Sequence, residues 1–162
     1  MNMSWTPRTA EDALLAAYWE HERGRLYAEV PIAGPQGHPA WTAHSTTRRL
    51  DGVRVPGDGL AEGMVPFVGH AEEFQRMIHQ HAPELIEVKR KLNRTAIGQM
   101  IAGYDLFTEQ YSVAPARLVI VCAFSDDALE WVCQKRGIEV RYIPQRSSHP
   151  HDRGRAARHR RQ

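Results

Sequence analysis

The chain has 162 residues, 42% of them hydrophobic and 25% charged, and a formal net charge of +2. A chain of this size and composition folds as one domain around a hydrophobic core, and no apolar run approaches the roughly 18 residues that a membrane-spanning helix needs, which excludes a transmembrane protein. The first residues show no basic segment followed by an apolar stretch. We therefore expect no secretory signal, a cytoplasmic location and no membrane partner.

The charge is distributed unevenly along the chain. Residues 145–162 contain six arginines and one aspartate, so they carry a charge of +5 and the rest of the chain carries −3. This segment has too few apolar residues to stabilise an ordered structure, and we expect a basic disordered tail at 145–162 behind a single domain formed by 1–144. A basic tail suits a polyanionic partner.

Neither the cysteines nor the histidines are spaced as ligands of a transition metal. Ten residues separate Cys122 from Cys133, with no neighbouring Cys or His at ligand spacing. The nine histidines are scattered, and the spacing of His79 and His81 is wrong for one face of a helix. We expect two buried thiols and surface imidazoles, without a zinc site or a disulfide framework.

Hydrophobic periodicity predicts the elements of the first half of the chain. A helical stripe behind a capping threonine is followed by two segments with the alternation of half-buried strands, which we expect to pair as a wide hairpin. The predicted elements are a helix at 11–23, strands at 25–32 and 47–55, a Gly- and Pro-rich loop at 56–69, and a short helix at 71–80.

The second half alternates strands with helices. The predicted strands lie at 84–91, 116–124 and 138–143, with one helix between the first two and another at 126–136. The continuous apolar run of the strand at 116–124 predicts burial on both faces. This order of elements favours an α/β fold with a mixed sheet of about five strands flanked by helices on both faces.

The helix after the strand at 84–91 carries two small residues, Gly98 and Ala102, which we expect to allow close approach to the sheet. The residues at helical spacing that are predicted to face the sheet are Ile97, Met100, Ile101, Tyr104 and Phe107.

Charged residues stand in two otherwise apolar strands. Side chains alternate across a strand, so Glu87 and Lys89 face one way, between apolar neighbours that face the other. Asp51 is enclosed by apolar residues in the strand at 47–55 in the same way. Buried charges are tolerated mainly when they pair or bind a metal. If the two strands are adjacent, Asp51 and Glu87 converge on one cation.

Two carboxylates with a backbone carbonyl, that of Val88, suit a hard ion such as Mg²⁺, which retains several waters. In that arrangement Lys89 lies where it can hold or deprotonate the attacking water and stabilise charge developing on phosphorus. The alternative is an ordinary solvated strand, because Glu-x-Lys is common on exposed strand faces.

The order of these residues resembles the core of the PD-(D/E)XK nuclease superfamily. A helix and a strand precede a strand with an apolar-Asp pair, Leu50 and Asp51, where the family has Pro-Asp. A strand with an E-x-K motif, Glu87 to Lys89, follows, and then a helix beginning AIGQM, which contains Gln99. The resemblance extends over about residues 11–143.

This resemblance implies a restriction-endonuclease-like core and a nuclease that hydrolyses phosphodiester bonds in DNA, as an endonuclease rather than an exonuclease. It implies Mg²⁺ as the cofactor, with Mn²⁺ able to substitute. The residues implied in catalysis are Asp51, Glu87, Lys89 and Gln99, of which Asp51 and Glu87 are the metal ligands. Some members add an acid from the first helix, for which Glu11 and Glu20 both qualify.

Two further expectations concern partners. A cluster of basic residues surrounds the proposed site and could hold phosphates or form a solvated face: Arg48, Arg49, Arg90, Lys91 and Arg94. So short a chain has no separate DNA-reading domain, so we expect a homodimer or a part of a larger complex. The alternative function is a catalytically inactive protein of this fold, either a nucleic-acid-binding module or an interaction subunit of a defence, repair or mobile-element assembly.

Overall fold

The computed structural model of the chain describes residues 5–35, 37–57 and 61–144. The predicted basic tail at 145–162 lies outside these residues. Among the helices of the described part, none is both long and apolar enough to cross a membrane.

The elements follow the predicted order with one addition. The helices are α1 (Ala10–Glu22), α2 (Ala71–Gln80), α3 (Arg94–Tyr111) and α4 (Asp127–Lys135). The strands are β1 (Arg25–Ile32), β2 (Arg48–Val55), β3 (Gly63–Pro66), β4 (Glu84–Lys91), β5 (Arg117–Phe124) and β6 (Ile138–Tyr142).

The described strands form one mixed sheet in the order β3-β1-β2-β4-β5-β6. β2 is antiparallel to both of its neighbours, whereas β3, β5 and β6 pair in parallel with β1, β4 and β5. The mixed α/β class is therefore confirmed. The prediction of a loop throughout 56–69 is wrong at β3, a four-residue strand bounded by Gly63 and Pro66, because its partner β1 is distant in sequence and local turn residues hide it.

Helices cover both faces of the sheet, as predicted. α1 lies on one face, where Leu14, Leu15 and Tyr18 pack against Ile86 and Val88. The other three helices contribute to the core on the opposite face. The inner strand β5, next to the edge strand β6, sends side chains into both cores, and Cys122 and Cys133 are buried free thiols as expected. The first helix begins with a capping box, in which Thr9 accepts from the Asp12 amide at 3.0 Å.

The face that α3 turns toward the sheet differs from the prediction. Its buried residues are Ala96, Ile97, Met100, Gly103, Phe107 and Tyr111. Ile101 and Tyr104, predicted to face the sheet, are 39% and 37% exposed. Gly98 and Ala102 are exposed as well, so the close approach is made by Gly103 instead. A Cβ on Gly103 would lie 2.8 Å from Leu50 Cδ2. Two neighbouring stripes of this helix are apolar, and packing against the sheet decides between them.

The hairpin of β1 and β2 changes faces halfway along. Tyr27 and Val53 belong to the same core as Val30 and Leu50, although an unbroken alternation would place them on opposite faces. The pairing of Ala28 with Gly52 and of Val30 with Leu50 keeps one register on both sides of the switch. Glu29 has a φ of 58° and lies opposite Asp51. These two residues therefore lie where the side chains of both strands change faces.

Candidate active site

β2 and β4 separate next to Asp51. The two strands pair only at Gly52 to Arg54, opposite Ile86 to Glu84. From Glu87 onward β4 keeps β5 as its partner on one side, whereas on the other side β2 diverges from it. The strands open here into a notch in the sheet, and the sequence places its charged residues at this notch.

The side chain of Asp51 bridges the mouth of the notch. Its Oδ2 accepts a hydrogen bond from the backbone amide of Val88 at 2.6 Å. The carboxylate therefore takes the place of the carbonyl that a paired strand would have offered to this amide. This bond fixes Asp51 beside Glu87 and confirms that the two residues lie on adjacent strands of one sheet.

Glu87 and Lys89 lie side by side on β4. Glu87 is 3% exposed, and its Oε1 is 3.3 Å from Lys89 Nζ. The same ammonium is 3.7 Å from Oε2 of Glu11, near the start of α1. Of the two acids of the first helix that sequence left open, the structure thus brings Glu11 to the site. Glu20 lines a different cavity, beside Trp5 and Trp19.

The electrostatics of this cluster are set first by burial and next by the charges of three carboxylates and one ammonium. Burial, and next the charge of Asp51, raise the pKa of Glu87 to about 7. Burial also raises the pKa of Asp51, although the hydrogen bond from Val88 and the charge of Lys89 oppose it. Burial disfavours the charged form of Lys89, but the charges of Asp51, Glu87 and Glu11 outweigh this and raise its pKa. One ammonium therefore serves three carboxylates.

The donor set fits an oxygen-seeking divalent ion with few protein ligands. Within the described ranges no group of three or more His, Cys, Asp or Glu side chains is placed to hold a metal ion. Zinc and calcium sites in proteins usually have more protein ligands than two carboxylates. Mg²⁺ is commonly held by one or two carboxylates and keeps its other ligands as water, which is what Asp51 and Glu87 can provide.

Glu87 also forms one wall of a cleft of about 600 Å³ between the start of β2 and the exposed side of α3. Arg48, Arg49 and Leu50 line its β2 side, and the lining residues from α3 are Thr95, Gly98, Gln99, Ala102, Gly103 and Leu106. Gln99 thus shares a cleft with Glu87. The other basic residues expected near the site, Arg90, Lys91 and Arg94, are exposed but do not line this cleft.

Gly98 was predicted to allow close approach to the sheet, but it lies in the α3 wall of the cleft instead. Gly98 lies inside a helix, where glycine costs about 1 kcal/mol relative to alanine. A Cβ at this position would meet nothing within 4 Å, so packing against the sheet does not require the glycine. The open space beside Gly98 leaves the backbone of α3 accessible from the cleft.

Comparisons with known proteins give structural similarity alone. No protein-family model matches the chain, and no curated protein matches it. A crystal structure of a repair endonuclease from Pyrococcus abyssi is similar over 86% of this chain, with 18% identity and a TM-score of 0.45. The structure of an EndoMS-dsDNA2 complex is similar over 90% of it, with 14% identity and a TM-score of 0.46.

The chain spans 50% of the length of each of these two proteins. EndoMS in its apo form is similar over 88% of this chain and 97% of its own length, with 11% identity and a TM-score of 0.36. At this level of similarity, the assignment of a function rests on the geometry of the site.

Proposed function

We propose that the chain is a Mg²⁺-dependent nuclease of the PD-(D/E)XK type, which hydrolyses phosphodiester bonds in DNA and acts as an endonuclease. The observation that carries this proposal is the notch itself. Two carboxylates from adjacent strands, the half-buried Asp51 and the buried Glu87, both act on the charge of Lys89 there, and the open cleft that Glu87 lines is also lined by two arginines.

A surplus of buried negative charge favours binding of a cation, because desolvated carboxylates are costly unless an opposite charge compensates them. Asp51 and Glu87 would hold the ion, with Glu11 close enough to the same lysine to add to the negative potential. A divalent ion supplies positive charge where negative charge builds on the phosphoryl oxygens during hydrolysis.

In the proposed mechanism, Lys89 acts on the attacking water. The carboxylates keep its ammonium protonated, since their charges raise its pKa. Positive charge bound by the same carboxylates removes that cause and lowers the pKa of Lys89 toward the range in which it accepts a proton. Gln99, across the cleft, is placed to orient the water or the phosphate through its amide.

The test is cleavage of covalently closed circular DNA and of linear DNA at several Mg²⁺ and Mn²⁺ concentrations. Asp51→Asn and Glu87→Gln should lose activity and ion affinity together, because each removes a ligand charge. Lys89→Ala should lower turnover by about a hundredfold or more, the scale for losing a positioned acid-base group. Lys89→Arg should restore little, because a guanidinium stays protonated.

Matched controls are Glu72→Gln and Lys135→Ala, which make the same chemical changes on α2 and α4, away from the notch. Nicking of closed circles assigns an endonuclease, whereas cleavage confined to linear DNA assigns an exonuclease. Parental activity in Glu87→Gln and Lys89→Ala would refute the proposed mechanism. DNA binding without cleavage in the parent would instead support the inactive binding module.

A further inference from the structure

Arg48 and Arg49 differ from the arginines that stabilise the fold. In the described part of the chain, Arg23, Arg25, Arg54, Arg117 and Arg141 each form an ion pair with a glutamate. Neither Arg48 nor Arg49 is within salt-bridge distance of a carboxylate among the described residues. The Arg48 guanidinium donates a hydrogen bond to the Thr46 carbonyl at 2.9 Å. Both are exposed, and both line the cleft that contains Glu87.

The wall of the cleft opposite the arginines includes residues with small side chains. Gly98 and Ala102 are exposed on α3 and line the same cleft, and the space next to Gly98 is open. A linear polyanion can therefore lie against the helix backbone on this side while guanidinium groups reach it from the other. Guanidinium groups are well suited to this role, because their donors match phosphate oxygens in pairs.

We infer that this cleft binds one strand of the DNA substrate, with Arg48 and Arg49 on phosphates next to the scissile one and the strand running past Gly98. This inference rests on the proposed nuclease function and names its substrate-positioning residues.

The dimensions favour one strand over a double helix. A cleft of about 600 Å³ has the size of a pocket for a small organic ligand, which accommodates a short stretch of one strand. The side chain of Glu87, which lines this cleft, is only 4% exposed, so a phosphate has to enter the cleft to reach it. A duplex could deliver a phosphate there only by presenting one of its strands separately.

The first experiment measures equilibrium binding of the full chain to a labelled single-stranded oligonucleotide, with a chelator present, between about 50 and 200 mM salt. Each phosphate contact on a single strand contributes about 0.7 to the slope of log affinity against log salt, so the Arg48→Gln/Arg49→Gln double variant should have a slope less steep by about 1.4. Its affinity should fall by about tenfold for each arginine. Arg76→Gln and Arg136→Gln remove the same charge from exposed positions on other surfaces and should leave the slope unchanged.

A second variant tests the α3 wall. Gly98→Ala should raise the melting temperature, because alanine favours the helix, and should nevertheless weaken binding of the strand. Gly98→Leu should weaken binding further. Tyr104→Trp enlarges a residue of the same helix that lines a different cavity, and it should not change binding.

The outcomes separate this inference from the nuclease proposal, since binding is measured without hydrolysis. A reduced slope in a chain that never cleaves DNA supports the strand contacts of Arg48 and Arg49 and refutes the nuclease, so that the bound strand is then not a substrate. Normal cleavage by the double arginine variant with an unchanged slope refutes the inference alone. Binding of a closed-ended duplex more tightly than a single strand would overturn the one-strand assignment, as would undiminished binding by Gly98→Leu.

Discussion

Glu84 and Glu87 lie three residues apart on β4 and are both 3% exposed, yet their surroundings differ in charge. Glu84 accepts from Arg117 and forms an ion pair with Arg54, each at 2.7 Å. The ion pairs around Glu84 form a network of three glutamates and three arginines: Glu22, Glu84 and Glu139 with Arg54, Arg117 and Arg141. That end of β4 is neutral.

At the other end three carboxylates share Lys89. Glu84 and Glu87 are equally buried within the same sheet, so their burial alone does not explain the difference. Folding stability favours compensated charge, as at Glu84, because an unpaired buried charge is costly. This difference supports the proposed metal site, where a bound ion would supply positive charge that the metal-free protein lacks.

The largest effect expected from this comparison is at Glu84. Glu84→Gln should lower the free energy of unfolding by about 3–5 kcal/mol, because it removes the buried carboxylate that lies 2.7 Å from the buried Arg54 and also pairs with the partly exposed Arg117. Urea denaturation measures this, with Glu139→Gln as the control, a half-exposed member of the same network whose loss should cost about 1 kcal/mol or less. Equal costs for the two variants would show that the network does not depend on its buried member.

Glu87→Gln should have the opposite sign. The pKa of Glu87 is raised to about 7, so between its ordinary value of 4.5 and 7 the folded protein holds a proton that the unfolded chain has released. The free energy of unfolding of the metal-free parent should therefore fall as the pH rises through this window, and the variant should lack this dependence.

Above pH 7 the variant should be more stable than the parent by up to about 3 kcal/mol. Urea denaturation with a chelator at several pH values measures this, and Glu72→Gln should follow the parent. Mg²⁺ should then stabilise the parent and not Glu87→Gln. A variant less stable than the parent at every pH would place Glu87 among the structural charges.

At the Glu87 end of β4, we expect side-chain packing, and not charge pairing, to stabilise the structure. Gly103→Ala places a Cβ against Leu50, the neighbour of Asp51, and should cost about 1–2 kcal/mol after the gain in helix propensity is subtracted. Adding Leu50→Val should recover part of this cost. Thermal unfolding of Gly103→Ala should be compared with that of Gly98→Ala, the matched control. Equal stabilisation by the two substitutions would contradict the close contact between Gly103 and Leu50.

The smallest effect is expected at Tyr18, whose hydroxyl lies 3.4 Å from Glu84 Oε2. Tyr18→Phe should cost about 1 kcal/mol or less, because Glu84 keeps both arginines after losing this donor. Denaturant unfolding detects a change of this size. A cost close to that of Glu84→Gln would mean that the hydroxyl, and not the arginines, compensates the buried carboxylate.

The prediction of the elements depended on local information, which explains where it succeeded. Caps, alternation and helical stripes are set by neighbouring residues, so the bounds of α1, β1, α2 and β4 follow the sequence closely. β3 was missed because its four residues are recognisable as a strand only beside β1. The face of α3 was misjudged because two of its stripes are apolar.

The candidates Asp51, Glu87 and Lys89 could be named from the sequence because charges in apolar strands are unusual, and this rarity is visible without a structure. Their roles in catalysis remain predictions. Only tertiary structure decided between Glu11 and Glu20, opened the notch beside Asp51, and set Arg48 and Arg49 across from Gly98. These arrangements depend on how segments distant in the chain pack and where two strands part, which no local pattern encodes.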